Sequence, residues 1–233
     1  LLGPVLSLPL MAALGDRPEP APGATGLRVA VANLLYSNTR SADAADVLFD
    51  ADADVIVLAE FTVEHREVFR EHPRSGRYPH RIDQPGRGPA GIGVWSRIPI
   101  APADAPSSLD SAIDVVVPHL DGPIRLLGVH VPSPMSDAEN WRLDLRRLER
   151  VGRDAATPLV VAGDLNASYW HPEFRSLLDA GFADAHITTG NGFAASWPTG
   201  GPVPPFVQLD HALTTPTLVA TDLVDIDLPG SDH

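Results

Sequence analysis

Residues 55–59 read VIVLA and residues 159–162 read LVVA, two wholly apolar runs that stop at Glu60 and at Gly163-Asp164. A strand wet on one face alternates apolar and polar residues, so a run without alternation is apolar on both faces and must be covered on both. That requirement constrains this chain most. It favours layered arrangements, either one mixed sheet or two packed sheets with helices outside. Further strands are read at "LRVAVAN", "AGIGVWSR", "AIDVVVPHL", "PIRLLGVHV", "FADAHI", "VQLDHALTT" and "TLVATDLVDIDLP". Helical spacing appears in "SADAADVLFDA" with Ser41 as N-cap, in "TVEHREVFREH", and in "SDAENWRLDLRRLERVGRDA" with Ser136 as N-cap. It appears again in "HPEFRSLLDAG", which Gly181 closes, whereas "ASWPTGGPVPPF" carries too much Pro and Gly for regular structure.

At 233 residues, 44% of them hydrophobic, the chain can bury a sizeable core as one domain. Its formal net charge is −13, with no basic run, which argues against a strong non-specific grip on duplex phosphates. The absence of cysteine excludes disulfides, thiolate nucleophiles and Cys-ligated zinc. Residues 1–15 are apolar but too few to span a bilayer. They read either as the exit end of a membrane helix or as an interface or core segment. Residues 16–26, rich in Pro, Gly and charge, read as an extended linker, and the domain covers residues 27–233. With no basic cluster in the spacer, the expectation is a membrane-anchored domain outside the cytoplasm, with secreted or cytoplasmic placement as the alternatives.

Polar residues recur where apolar strands stop: Asn33, Glu60, His130, Asp164 with Asn166, and Asp210 after "FVQL". Each alone fits turn chemistry. Repeated over five strand ends they fit a site, because ligands of open α/β sheets gather at carboxyl strand ends. In an extended strand, Asp164 and Asn166 would share one face. The terminal "GSDH" adds Asp232 and His233. Oxygen donors outnumber nitrogens, which favours Mg²⁺ or Mn²⁺ over zinc and suits hydrolysis of a phosphate ester. The remaining histidines, 65, 72, 80, 119, 171, 186 and 211, read mostly as surface or loop residues. Trp170 and Trp197 lie in loops near the expected cleft, where they could stack on a base or lipid or simply anchor the loops.

The succession "VAN", "VIVLAEF", "GIGVWSRIPI", "GVHVPSP", "VVAGDLNA", "QLDHAL" and "GSDH" resembles the endonuclease/exonuclease/phosphatase superfamily, and within it the bacterial membrane-tethered branch. The resemblance implies a deoxyribonuclease-like four-layer α/β sandwich, two packed mixed β-sheets flanked by helices. It implies a Mg²⁺- or Mn²⁺-dependent phosphodiesterase, acting as a monomer on nucleic acid or phospholipid. A lipid phosphodiesterase, a phosphomonoesterase or a catalytically dead binding module on the same fold are the alternatives. By the same resemblance Glu60 is the principal metal carboxylate, with Asn33 and Asp232 assisting. Asp164 activates water, Asn166 binds the scissile phosphate, and His130 and His233 serve the phosphate, His233 oriented by Asp210. Trp197 is expected to bind substrate, and Arg97 in "WSRIPI" either to bind substrate or to make a structural salt bridge. Relatives continue past "SDH" into another strand, so the domain is expected to lack its last strand and the chain to be cut short at both ends.

Overall fold

The computed structural model describes residues 19–104, 106–192 and 194–233. The apolar stretch 1–15 and the first part of the linker lie outside these residues. Among the described residues no helix is long and apolar enough to cross a membrane. The end of the linker is docked: Thr25 donates from N and Oγ1 to Asp121 Oδ2 at 2.8 and 2.7 Å.

Two mixed sheets form the centre. The first has the order β1 (Val29–Asn33), β2 (Val55–Ala59), β4 (Ile92–Ser96), β3 (His80–Gln84). The second has the order β5 (Ala101–Pro102), β6 (Ala112–Val117), β7 (Ile124–His130), β8 (Leu159–Asp164), β10 (Asp210–Thr214), β9 (Ala183–Asp184). β1 and β2 run parallel, as do β7 and β8, whereas β10 is antiparallel to β8.

The apolar runs are explained by three packed layers of side chains. Val55, Val57, Val94, Val115, Leu126 and Val160 meet between the sheets. Ile56, Leu58 and Trp95 face outward from the first sheet into the cluster that holds Leu48, Phe49 and Phe69, from helices α1 (Ser41–Asp50) and α2 (Val63–Glu71). Leu127, Val129 and Val161 do the same on the second sheet, against Trp141, Leu145 and Leu148 of α3 (Pro134–Arg153) and Phe174 and Leu177 of α4 (Pro172–Asp179). The expected four-layer α/β sandwich is the observed fold. The sheets pack tightly at Gly128, where a Cβ would stand 3.0 Å from Val57 Cγ1 and 3.2 Å from Val94 Cγ2.

Several local expectations are corrected. Ser41 is the first helical residue of α1, not its cap; Arg40 holds that position without a side-chain bond. Ser133 caps α3, and the helix breaks at Asp137, whose Oδ1 accepts from Asn140 N at 3.1 Å and recaps the remainder one residue after Ser136. "FADAHI" is a two-residue strand followed by α5 (Ala185–Thr189), because Asp184 Oδ1 accepts from His186 N and Ile187 N and starts a helix. "TLVATDLVDIDLP" forms no strand: β9 already occupies the β10 edge, and Val224 and Ile226 are exposed. Strand β3, not foreseen, pairs with β4 on the outside of the first sheet.

Candidate active site

Parallel pairing puts Asn33 level with Ala59, and so beside Glu60; in the second sheet it puts His130 level with Asp164. Asp210 was expected at the end of a strand, but it opens β10. Because β10 is antiparallel, its first residue pairs with Asp164 and reaches the same edge. Gly163 permits the close approach of β7 and β8, since a Cβ there would lie 1.9 Å from Val129 O. Five strand ends therefore converge on one rim that both sheets share.

Asn33, 2% exposed, is the junction. Its Nδ2 donates to Glu60 Oε1 at 3.2 Å and to Asp164 Oδ2 at 3.0 Å, tying the first sheet to the second. Its Oδ1 accepts from Leu35 N at 3.0 Å. Asn33, expected among the metal residues, thus presents its N–H groups to both carboxylates while its oxygen accepts from the backbone. Glu60 Oε2 accepts from Tyr36 N at 2.8 Å.

Asp164 and Asn166 come together, though not along an extended strand. Asn166 takes a left-handed conformation (φ 45°) that folds it back, so that its N donates to Asp164 Oδ1 at 2.7 Å and its Nδ2 to Asp164 Oδ2 at 3.2 Å. Glu60 is left-handed too (φ 53°). Such backbone costs on the order of 1 kcal/mol or more per non-glycine residue and concentrates at functional sites.

His130 Nδ1 donates to Pro89 O at 2.7 Å, which turns Nε2 toward Asp164 Oδ2 at 3.7 Å. His233 Nδ1 donates to Asp210 Oδ2 at 2.7 Å, and its Nε2 lies 3.8 Å from Asp164 Oδ2. The "GSDH" segment is anchored to β1 by Ser231 Oγ, which donates to Asn33 O at 2.7 Å. Trp197 Nε1 donates to Asp232 Oδ2 at 3.3 Å, so Trp197 stands at the site beside Asp232.

Electrostatics separate the two proton-carrying groups. Burial raises the pKa of Asp164, and the neighbouring Asp210 raises it further, against smaller opposing effects of His233 and His130. Burial alone would lower His233, but the charges of Asp210, Asp164 and Asp232 outweigh it and carry the imidazole to about 9. Asp210 remains below its ordinary range because pairing with His233 overcomes its burial. A basic carboxylate beside a protonated imidazole is an arrangement suited to acid–base chemistry.

Asp164, Asp210 and His233 each bring a ligand atom within 4.8 Å of the others, a spacing that can hold a metal ion. Two further acceptors lack any partner among the described residues, the buried Asp210 Oδ1 and Asp232 Oδ1. A buried carboxylate oxygen without a donor is costly and suits a hard cation.

Arg97 is not at this site. It sits at the opposite end of the first sheet, 2.6 Å from Asp52 Oδ1 and stacked over Tyr78, because β4 runs antiparallel to β2 and carries residue 97 past the start of β2. Trp170 lines a separate small cavity with Phe174, Gln208 and His211. Sequence reasoning missed Ser196, whose Oγ donates to Asp210 Oδ2 at 3.1 Å and which nothing local marks, and it gave no role to Ser231, although "GSDH" contains it. It also placed His65, His186 and His211 too far out, since all three are buried.

The fold is similar to that of several solved structures. Sphingomyelinase C from Streptomyces griseocarneus superposes with a TM-score of 0.61 at 20% identity, over 83% of this chain and 85% of that one. D. rerio TDP2 complexed with a single-strand DNA product gives 0.64 at 17% identity, over 89% and 95%. Beta toxin from Staphylococcus aureus with bound magnesium ions, a F277A, P278A mutant, gives 0.55 at 16% identity, over 83% and 85%. No curated protein sequence matches. The sequence pattern of the Endonuclease/Exonuclease/phosphatase family matches residues 30–233. This chain belongs to the endonuclease/exonuclease/phosphatase family.

Proposed function

We propose that the protein is a divalent-metal-dependent phosphodiesterase that attacks phosphorus with an activated water. The observation that carries this reading is the joint made by Asn33: one amide links Glu60 of the first sheet to Asp164 of the second, beside His233 held by Asp210. Asp164, buried and raised in basicity, takes a proton from the attacking water, while Asn166 keeps its carboxylate oriented. His233, protonated at neutral pH, and His130 face the phosphate and stabilise or protonate the departing oxygen. Glu60 and Asp232 would hold Mg²⁺ or Mn²⁺, the latter through its unpartnered Oδ1. When bound, such an ion polarises the phosphoryl oxygens. The magnesium in the beta toxin structure supports this assignment by analogy of fold.

Hydrolysis of bis(p-nitrophenyl) phosphate with Mg²⁺ or Mn²⁺, lost on addition of EDTA, is the expected result. A stable, folded protein that shows no metal-dependent hydrolysis of this ester, plasmid DNA, RNA or sphingomyelin would overturn the reading. Among natural substrates, nucleic acid and phospholipid are both represented by the structural neighbours, and the same panel separates them. Attachment to a membrane outside the cytoplasm through residues 1–15 remains part of the proposal, resting on the apolar stretch and its Pro-rich spacer.

A further inference from the structure

A second aspartate–histidine pair stands behind the site, on the other side of β10. Successive strand residues point to opposite faces, so Asp210 turns toward His233 while His211 turns away into the core. His211 is 3% exposed and lies against Phe174, with ring centroids 4.3 Å apart. Its Nδ1 meets Asp184 Oδ2 at 2.7 Å and its Nε2 meets Ala167 O at 2.8 Å. Asp184 Oδ2 and Ala167 O are acceptors, so the ring nitrogen facing each donates to it, while Gln208 Nε2 lies 3.1 Å from Nδ1. Asp184 is fixed in turn, because its Oδ1 accepts the first N–H groups of α5.

Ala167 directly follows Asn166, the left-handed residue whose fold-back supports Asp164. Several bonds hold this turn, among them the one Leu165 N donates to Leu209 O at 3.0 Å. Asn166 Nδ2 donates to Val131 O at 3.0 Å, Trp141 Nε1 donates to Asn166 O at 3.1 Å, and His211 grips the next carbonyl. The Leu165 bond reaches the residue just before Asp210, and the His211 bond runs back to the strand that carries Asp210 from its other face.

We propose that His211 is a positioning residue for the hydrolytic reaction. Anchored by Asp184, it holds the Ala167 carbonyl and thereby keeps Asn166 in the strained conformation that orients the Asp164 carboxylate. One strand then supports the chemistry from both faces, Asp210 through His233 and His211 through Asn166. This rests on the phosphodiesterase reading above.

The test compares wild type, His211→Ala, His211→Gln, Asn166→Ala and the double variant His211→Ala/Asn166→Ala in bis(p-nitrophenyl) phosphate hydrolysis with Mg²⁺. His211→Ala should lower kcat about 10- to 100-fold with KM within about two-fold. In the Asn166→Ala background the same change should cost less than about two-fold, because the two act as one unit. His211→Gln keeps an amide donor for Ala167 and should recover most of the loss. Full kcat in His211→Ala, or the same fold-loss with and without Asn166, overturns the proposal. If His211→Ala does not fold, His211→Phe, which keeps a ring against Phe174 but offers Ala167 no donor, and its double variant with Asn166→Ala decide by the same criteria. A second readout is independent of turnover: the backbone and side-chain amide NMR signals of Asn166 should move in the folded His211 variant. If wild type hydrolyses nothing, the phosphodiesterase reading fails; unmoved Asn166 signals would then refute the positioning role separately.

Discussion

The two ends of the first sheet are both crowded with carboxylates, yet they are compensated in opposite ways. At the end where β2 starts, Asp52 is met by Arg77 at 2.5 Å, Arg97 at 2.6 Å and Arg28 at 3.5 Å. Its pKa is lowered, first by the hydrogen bond from Arg97. At the end where β2 stops, Glu60, Asp164, Asp210 and Asp232 gather without one arginine ion pair among the described residues. Among the described residues His233 supplies the cationic partner there, and His130 lies 3.7 Å from Asp164. The first end is neutralised by its own side chains and serves as a lock. The second is short of positive charge, which is the electrostatic signature of a place that receives a cation from outside.

The sharpest way to break this contrast is Glu60→Gln, which keeps the shape and removes one charge from the undercompensated end. Turnover of bis(p-nitrophenyl) phosphate should fall by orders of magnitude, and the Mg²⁺ concentration needed for half activity should rise. Near-normal turnover at sub-millimolar Mg²⁺ would show that the charge deficit has another purpose.

His233→Ala and His130→Ala come next, each with an expected loss of roughly 10²–10⁴-fold, the usual contribution of a general acid or base. Asp210→Asn should reproduce part of the His233 loss through the 2.7 Å bond it weakens. Equal losses on replacing an unrelated histidine such as His80 would indicate a folding defect instead.

His233 also makes the site end pH-sensitive. Its folded-state pKa is raised from the ordinary 6.5 to about 9, so the folded protein binds this proton more tightly than the unfolded chain. The stability it contributes is full below about pH 6.5 and disappears as pH rises through about 9. The Tm difference between wild type and His233→Gln should therefore shrink between pH 6 and pH 10. A difference that grows over that range would contradict the ion pairing.

The smallest effect belongs to the locked end. Arg97→Ala should leave turnover within about two-fold while lowering Tm slightly, because half-exposed ion pairs contribute little. A large loss of turnover would return Arg97 to the substrate.

The sequence carried much of this site. Asn33, Glu60, His130 and Asp164 could be found because apolar parallel strands end where solvent and ligands begin, and that change of polarity is local. Asp210 was found with the wrong strand end, since a strand's direction depends on pairing partners far away in the chain. Arg97 was misplaced for the same reason: β4 runs against β2, which takes its last residue to the far rim. The Asp184–His211 pair was hidden by reading "FADAHI" as one strand. Asp184 as a helix cap and Gly190, left-handed at φ 76°, bracket the short helix and were the available signal. The segment 217–229 was misread because its Val and Ile suggest a strand, while the open edge that would have received it was already taken by β9.

The close approach of the sheets at Gly128 has a consequence for the catalytic rim. Glu60 belongs to one slab and Asp164 to the other, and the hydrogen bonds that join them through Asn33 tolerate only a few tenths of an ångström of stretch. The gap they must bridge is set deep inside, by how thinly the valines and this one glycine pack. The interior therefore acts as a spacer gauge, and a single extra methyl there would be felt at the rim as misalignment across the cleft, with every site residue unchanged.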